Sequence, residues 1–366
     1  MIAPGLGIAS VVVGVAIVLV NLTDIFRSII LPRAAGMRFR ISAWMVRTTW
    51  PMWRWLAFRI NDADTREDFL GAFAPLAMCG FLILWGTGSI VGYGFIFYGL
   101  RSQLHPTPDF GTAFYYAGVS FLTIGYGDYV ATGGWSRFVS LVAGGNGFAV
   151  VAIVTTFLFS IFGAFATREN FVVTFATRAG APPSGVTLLE TYARLGLLGD
   201  LDDVFEEGTR WAAAVLETHL AYPILAYFRS SHEFESWIGA LGALLDAATL
   251  KLTLIDDGAP GHAKLFQEMA RHLVRDLAHY FRFTEDDTPG VERQEFDAAR
   301  ERLVAAGFVV RDTDDAWERF SKLRAAYATP LNEMAGFFRI PPAQWVGDRS
   351  FLRHSRPPER LISTHR

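Results

Sequence analysis

The 366-residue chain has one cysteine and three lysines, against 34 glycines and 31 phenylalanines. A lone cysteine, Cys79, can close no intrachain disulfide, which excludes a disulfide-stapled scaffold and leaves the redox compartment unmarked. Inside an apolar run, Cys79 reads as a small buried apolar residue. The scarcity of lysine makes the basic residues almost all arginine, a genomic composition bias without mechanistic content. Several motifs are also missing. No dinucleotide fingerprint follows a strand, and no P-loop, zinc spacing, EF-hand loop or nucleophile–base pattern occurs. An enzyme, a resident cofactor and a nucleic-acid partner therefore have no positive support. With 51% hydrophobic residues and a mean hydropathy of +0.27, the chain is too apolar for an ordinary soluble enzyme.

The most telling absence is of charge. Residues 2–20, Phe73–Leu100 and Phe138–Phe165 hold no Asp, Glu, Lys or Arg, and each can cross a bilayer that needs about 20 apolar residues. For the first stretch the competing reading is a cleaved signal peptide, but a basic leader and a small-x-small site after the run are lacking. From Arg27 to Arg59 there are seven arginines and no acid. Such a loop stays in the cytoplasm, so the expected topology is multi-pass in the cell membrane, with the N-terminus outside and everything after Arg168 cytoplasmic.

Between the second and third runs lies Thr123-Ile124-Gly125-Tyr126-Gly127-Asp128. An ion that sheds its water needs rings of oxygens in its place, and backbone carbonyls supply them only if successive ones turn the same way. That conformation is cheap for residues without a Cβ, here Gly125 and Gly127. Asp109–Gly118 is short and amphipathic enough for a re-entrant helix ahead of this loop, a break in helix tolerated where backbone lines an aqueous path.

The stretch 71–168 resembles the two-helix pore domain of potassium channels, bacterial type. Phe114-Tyr115-Tyr116 stand where that family has an aromatic cuff, Trp135 and Arg137 where it opens its inner helix, and Gly147 where it has a hinge glycine. The resemblance implies that the carbonyls of Thr123, Ile124, Gly125 and Tyr126 bind K+, with the Thr123 hydroxyl adding a ring. Gly127, Asp128, Tyr115, Tyr116 and Trp135 would support the filter. Two positions depart from the pattern: Leu122 stands where a second Thr is common, and Val119 replaces a pore-helix Glu. One loop cannot encircle an ion, so a homotetramer is implied.

Gly144, Gly145 and Gly147, with Asn146 among them, are hinge or gate candidates; glycines there could equally serve close helix packing. Asn146 needs a hydrogen-bond partner, expected from the pore helix or a neighbouring subunit. Arg40, Arg47 and Arg54 recur every seven residues among Trp44, Trp50, Trp53 and Trp55, the pattern of a helix in the headgroup layer near anionic lipid. It reads either as a lipid-sensing element or as a passive anchor. No span carries arginine at every third position, so no voltage sensor is expected.

After the break Ala179–Gly185, residues 170–338 hold 26 acids and 16 bases with helical periodicity in six stretches: Leu188–Leu198, Trp211–Phe228, Phe234–Ile255, Ala263–Phe283, Val291–Ala306 and Ala316–Tyr327. Acid clusters read as solvated helix starts. The expected fold class is an all-α membrane protein. Its parts are an N-terminal transmembrane helix (1–30), a basic Trp-rich interfacial segment (31–70), a pore domain (71–168), a linker (169–185), an all-α cytoplasmic domain (186–338) and a basic disordered tail (339–366). The expected function is passive, K+-selective conduction. The alternatives are a weakly selective cation channel, or a cytoplasmic sensor or scaffold with a silent pore.

Overall fold

The computed structural model describes residues 4–31, 40–232, 234–256, 260–284 and 288–347. Its packing divides the chain into two units, Met1–Phe162 and Gly163–Arg366. The described residues are helical almost throughout, with a single two-stranded ribbon.

In the first unit, α1 (Pro4–Ile25) and α4 (Phe73–Gly99) pack antiparallel. Their contact is made by small residues: a Cβ on Gly14 would fall within the Gly92 carbonyl, and one on Gly99 would lie 2.5 Å from the Gly7 carbonyl. Lipid offers no hydrophobic force between helices, so close backbone approach and interhelical hydrogen bonds hold such a pair. Ser10 Oγ donates to the Phe95 carbonyl at 2.7 Å, and Asn21 Nδ2 to the Trp85 carbonyl at 2.7 Å and Ser89 Oγ at 2.9 Å. At the end of α1 the buried Asp24 carboxylate accepts from Trp85 Nε1 at 2.8 Å and from the backbone N–H of Ile41 at 2.8 Å and Ser42 at 3.3 Å. It thereby caps α2 (Ile41–Ala57), which has no cap of its own.

Helix α2 folds back beside α3 (Ala63–Gly71) and the start of α4. Trp53 stacks on Phe69 at 4.3 Å and donates its Nε1 to the Phe69 carbonyl; Trp50 is buried edge-on against Phe73 at 4.8 Å. Helix α5 (Phe110–Phe121) is the expected short re-entrant helix, ending three residues beyond its amphipathic stretch, and α6 (Gly134–Ala179) is one unbroken helix of 46 residues. Three helical segments are long and apolar enough to cross a membrane, within Gly5–Ile30, Ala63–Gly99 and Gly134–Ala179. The expected additional N-terminal span is present among them. Cys79 corrects its expectation: it is exposed, on a side of α4 that the chain itself leaves uncovered.

In the second unit, α7 (Gly185–Arg194), α8 (Leu201–Ala221), α10 (Gly261–Phe281), α11 (Arg293–Ala305) and α12 (Thr313–Phe338) accompany α9 (Trp237–Thr253). Nearly every residue of α9 is buried, as expected of a helix apolar on all sides. Its one acid, Asp246, accepts from Arg324 Nε at 2.9 Å and the Tyr327 hydroxyl at 2.7 Å. Helix starts carry the acids: Asp202 and Asp203 open α8, Asp312 caps α12, and Glu292 and Glu295 form a capping box on α11.

Boundaries moved for local reasons. Helix α8 begins ten residues before Trp211 and stops at Ala221, because Pro223 cannot continue it. Helix α12 runs through Pro330 to Phe338. Much of the expected linker is the last three turns of α6; the chain breaks only at Gly180, in the left-handed region at φ +86°. Order also extends past Phe338. Arg324 donates to the Trp345 carbonyl at 2.7 Å, the Gly347 N–H donates to Asn332, and Trp345 and Val346 are buried. The expected disordered tail is thus corrected for 339–347, and its remainder, 348–366, lies outside the described residues, as do acids 285–287.

Candidate functional site

Helix α5 is seated by aromatic packing on α4. Gly94 leaves room for the Phe114 ring, which a Cβ would meet at 2.6 Å; Phe110 packs edge-on to Phe95 and Tyr98 and Phe114 to Phe95, at 5.1–5.9 Å, and the two rings of α5 tilt against each other at 4.8 Å. Deeper in, Tyr116 packs edge-on to Phe97 at 4.8 Å and shares a 2.9 Å hydrogen bond with Ser140 of α6. At the other end of α5, Asp109 caps it by accepting from the Thr112 N–H at 2.8 Å and hydroxyl at 2.6 Å. Those bonds stabilise the carboxylate and hold the Asp109 pKa below the usual range.

The segment that begins before α5 and ends after the loop is closed at its base. Strands β1 (Leu104–His105) and β2 (Val130–Ala131) pair antiparallel, Leu104 opposite Ala131. Beside them the Gln103 carbonyl accepts from the Thr132 N–H at 2.9 Å and Ser136 Oγ at 2.8 Å. Entry and exit of the re-entrant segment are therefore fixed to one another. Nothing in the sequence marked Gln103 beyond its place just outside an apolar run.

Leaving α5, the N–H groups of Leu122, Thr123 and Ile124 still bond back to Gly118, Ser120 and Val119 at 2.9–3.2 Å. The backbone then alternates: φ is +57° at Thr123, +67° at Gly125 and +81° at Gly127, with Ile124 and Tyr126 between them outside the positive-φ set. A Cβ at Gly125 or Gly127 would meet nothing within 4 Å. Glycine is there for conformation and not for space. Thr123 takes the same left-handed region with a β-branched side chain, a strained choice that sequence reasoning missed.

All of Leu122–Asp128 is exposed on the single chain, Ile124 at 47% and Tyr126 at 70%. Behind the loop Tyr115 lies close enough to the Asp128 carboxylate to interact with it, and its ring packs edge-on to Tyr129 at 6.5 Å. Trp135 instead lies exposed with its ring against Phe138 of its own helix.

The α6 glycines divide by role. A Cβ on Gly147 would fall within the Phe121 carbonyl, so α6 crosses the end of α5 there with no room for any side chain; Gly144 lies near Ser120 and Thr123, and Gly145 faces open space. Asn146 donates to the Tyr93 hydroxyl at 3.2 Å. Its partner is on α4, and not on the pore helix or a neighbour as expected, because Tyr93 reaches across from the facing span.

A second polar cluster, unmarked in the sequence, sits at the end of α6 within the second unit. Arg168 is buried and donates to the carbonyls of Leu225 and Phe228 at 2.9 Å each, to Glu169 at 2.8 Å and to His219 Nε2 at 3.3 Å. The His219 Nδ1–H donates to the Val215 carbonyl at 2.9 Å. Burial, reinforced by the Arg168 charge, holds the His219 imidazole well below its ordinary pKa and hence neutral. Among the described residues no group of three His, Cys, Asp or Glu could hold a metal. His272 pairs with Asp276 at 3.1 Å on its own helix.

Comparison with known proteins places this geometry. Residues 80–164 match the family model for ion channels. The chain is also 22% identical over 203 residues to an uncharacterized membrane protein, YdjJ, of Bacillus subtilis, covering 54% of this chain and 58% of the relative's length. No solved structure matches. The matched segment begins within α4, contains α5 and the alternating loop, and ends within α6: a two-helix ion-channel pore domain, preceded by an additional apolar helix.

Proposed function

We propose that the chain is one subunit of a homotetrameric, potassium-selective channel that passes K+ passively. The observation that carries this reading is the alternation of φ through Thr123, Gly125 and Gly127 in a loop exposed on the single chain. Alternating handedness along a backbone turns successive carbonyls to one side, which a strand does not do, and such a row of oxygens replaces a hydration shell. In this reading the carbonyls of Thr123, Ile124, Gly125 and Tyr126 line the ion path. Gly127, with Tyr115 beside Asp128, holds the outer end, and Tyr116 braces the inner.

Fourfold assembly is supported by the same exposure. Apolar Leu122, Ile124 and Tyr126 are uncovered at the end of a well-packed helix, and one loop supplies only one side of a ring. The arginine-rich segment before α4 supports a cell-membrane topology with the N-terminus outside and residues after Arg168 cytoplasmic. It also supports contact of Arg40, Arg47 and Arg54 with anionic lipid. The C-terminal helices would assemble the pore or set its opening, with no voltage sensor involved.

The test is ion-driven flux through purified protein in liposomes, comparing K+ with Na+ and including Gly125→Ala. Flux that favours K+, is blocked by barium and is lost in the variant is the expected result. A reversal potential near zero in mixed K+ and Na+ would sink the selectivity.

A further inference from the structure

Helix α2 buries one side and leaves the other bare. Ser42, Val46, Trp50 and Ala57 are buried, while at 100° per residue the opposite arc collects Trp44, Arg47, Thr48, Met52 and Trp55, with Arg59 in the turn beyond; all are exposed. Trp44 and Trp55, three turns apart, form its centre. Arg47 and Arg59 flank them, the Arg59 guanidinium lying 3.8 Å over the Trp55 ring. The seven-residue arginine stripe is only partly outward: Arg54 is half-buried, and Arg40 reaches the Arg27 carbonyl at 3.5 Å.

The depth of this face follows from its neighbours. Met45 packs at Gly80, where a Cβ would lie 3.1 Å from its Cε, and Trp50 packs on Phe73. The middle of α2 therefore lies alongside the first two turns of α4, where the charge-free run begins. Thr48 and Thr49 return their hydroxyl protons to carbonyls one turn back, at 3.0 and 2.7 Å, so neither hydroxyl needs a partner outside the helix. Asp24 and the Trp53–Phe69 stack fix the helix at both ends.

We infer that this arc is a docking surface for anionic phospholipid of the leaflet that α2 meets. Trp44, Met52 and Trp55 enter the boundary between headgroups and acyl chains, and Arg47 and Arg59 take the phosphates. The identity of that leaflet as the cytoplasmic one rests on the topology proposed above; the lipid contact itself does not need conduction.

The experiment uses the full chain in liposomes, on a Cys79→Ser background, with a fluorophore at Thr48→Cys or, separately, at Met52→Cys. Quenching by nitroxide-labelled lipid and protection from aqueous iodide are expected at both positions. Nitroxide on phosphatidylglycerol should quench several-fold better than on phosphatidylcholine, and Arg47→Gln with Arg59→Gln should bring the two to parity. Iodide access would overturn the inference. Shielding from both quenchers would overturn it in favour of a second copy of the chain on this face, and an unchanged preference in the double variant would overturn the role of the arginines. A silent pore with lipid-quenched labels would defeat the channel reading alone.

Discussion

Gly125 and Gly147 are glycines for different reasons, and their substitutions should fail differently. Gly125 needs a left-handed backbone, so Gly125→Ala is expected to strain the loop by about 1–3 kcal/mol without any packing clash, and to abolish K+ flux while the chain still folds and assembles. Gly147 needs the absence of a Cβ against the Phe121 carbonyl. Gly147→Ala should therefore lower stability by roughly 1–3 kcal/mol, as overpacking does, read as a drop in melting temperature; normal stability with altered opening would point to a hinge instead. His219 offers a pH readout. Its folded pKa is depressed, so the unfolded chain binds the extra proton, and stability is full above the ordinary imidazole pKa of about 6.5 and falls as pH drops below it. The loss should approach ~1.4 kcal/mol per pH unit, and His219→Asn should flatten that part of the melting profile.

Elements are held by a few specific contacts between them. The α1–α4 seam depends on paired glycines, and Gly14→Leu would drive a side chain into the Gly92 backbone; cross-linking between cysteines placed on the two helices should then be lost. Asp24 joins three helices by taking donors from Trp85, Ile41 and Ser42. Asp24→Ala should cost about 1–3 kcal/mol for each buried donor left unpaired, and α2 should become accessible to protease. Apolar periodicity made α4, α5 and α6 legible as elements. The seam with α1 was not legible, because a glycine in a membrane helix looks the same whether it packs, bends or faces lipid.

At the scale of the whole molecule the exposed Leu122–Asp128 loop calls for partners. Native mass analysis in detergent should find a species of four 40.6 kDa chains; a stable monomer that still conducts K+ selectively would refute the ring. The second unit folds around α9 and its own buried Asp246–Arg324 pair, which makes a chain lacking residues 186–366 a fair test of whether that unit assembles the pore or only tunes its opening.

Covalent order by itself determined the spans, the re-entrant helix and the residues of the loop, since these follow from runs without charge, from apolar period and from glycine placed where only glycine is cheap. It also determined that six helices follow the pore domain, four of them to within a few residues, but not the ten-residue earlier start of α8, its stop before Pro223, or the run of α12 through Pro330. Tertiary structure alone decided that Thr123 shares the left-handed alternation, that Asn146 turns to Tyr93, and that Asp24, Gln103 and Arg168 bind distant backbone. Those roles depend on which polar atoms meet across long separations in sequence, and a polar residue carries no periodic mark of its partner.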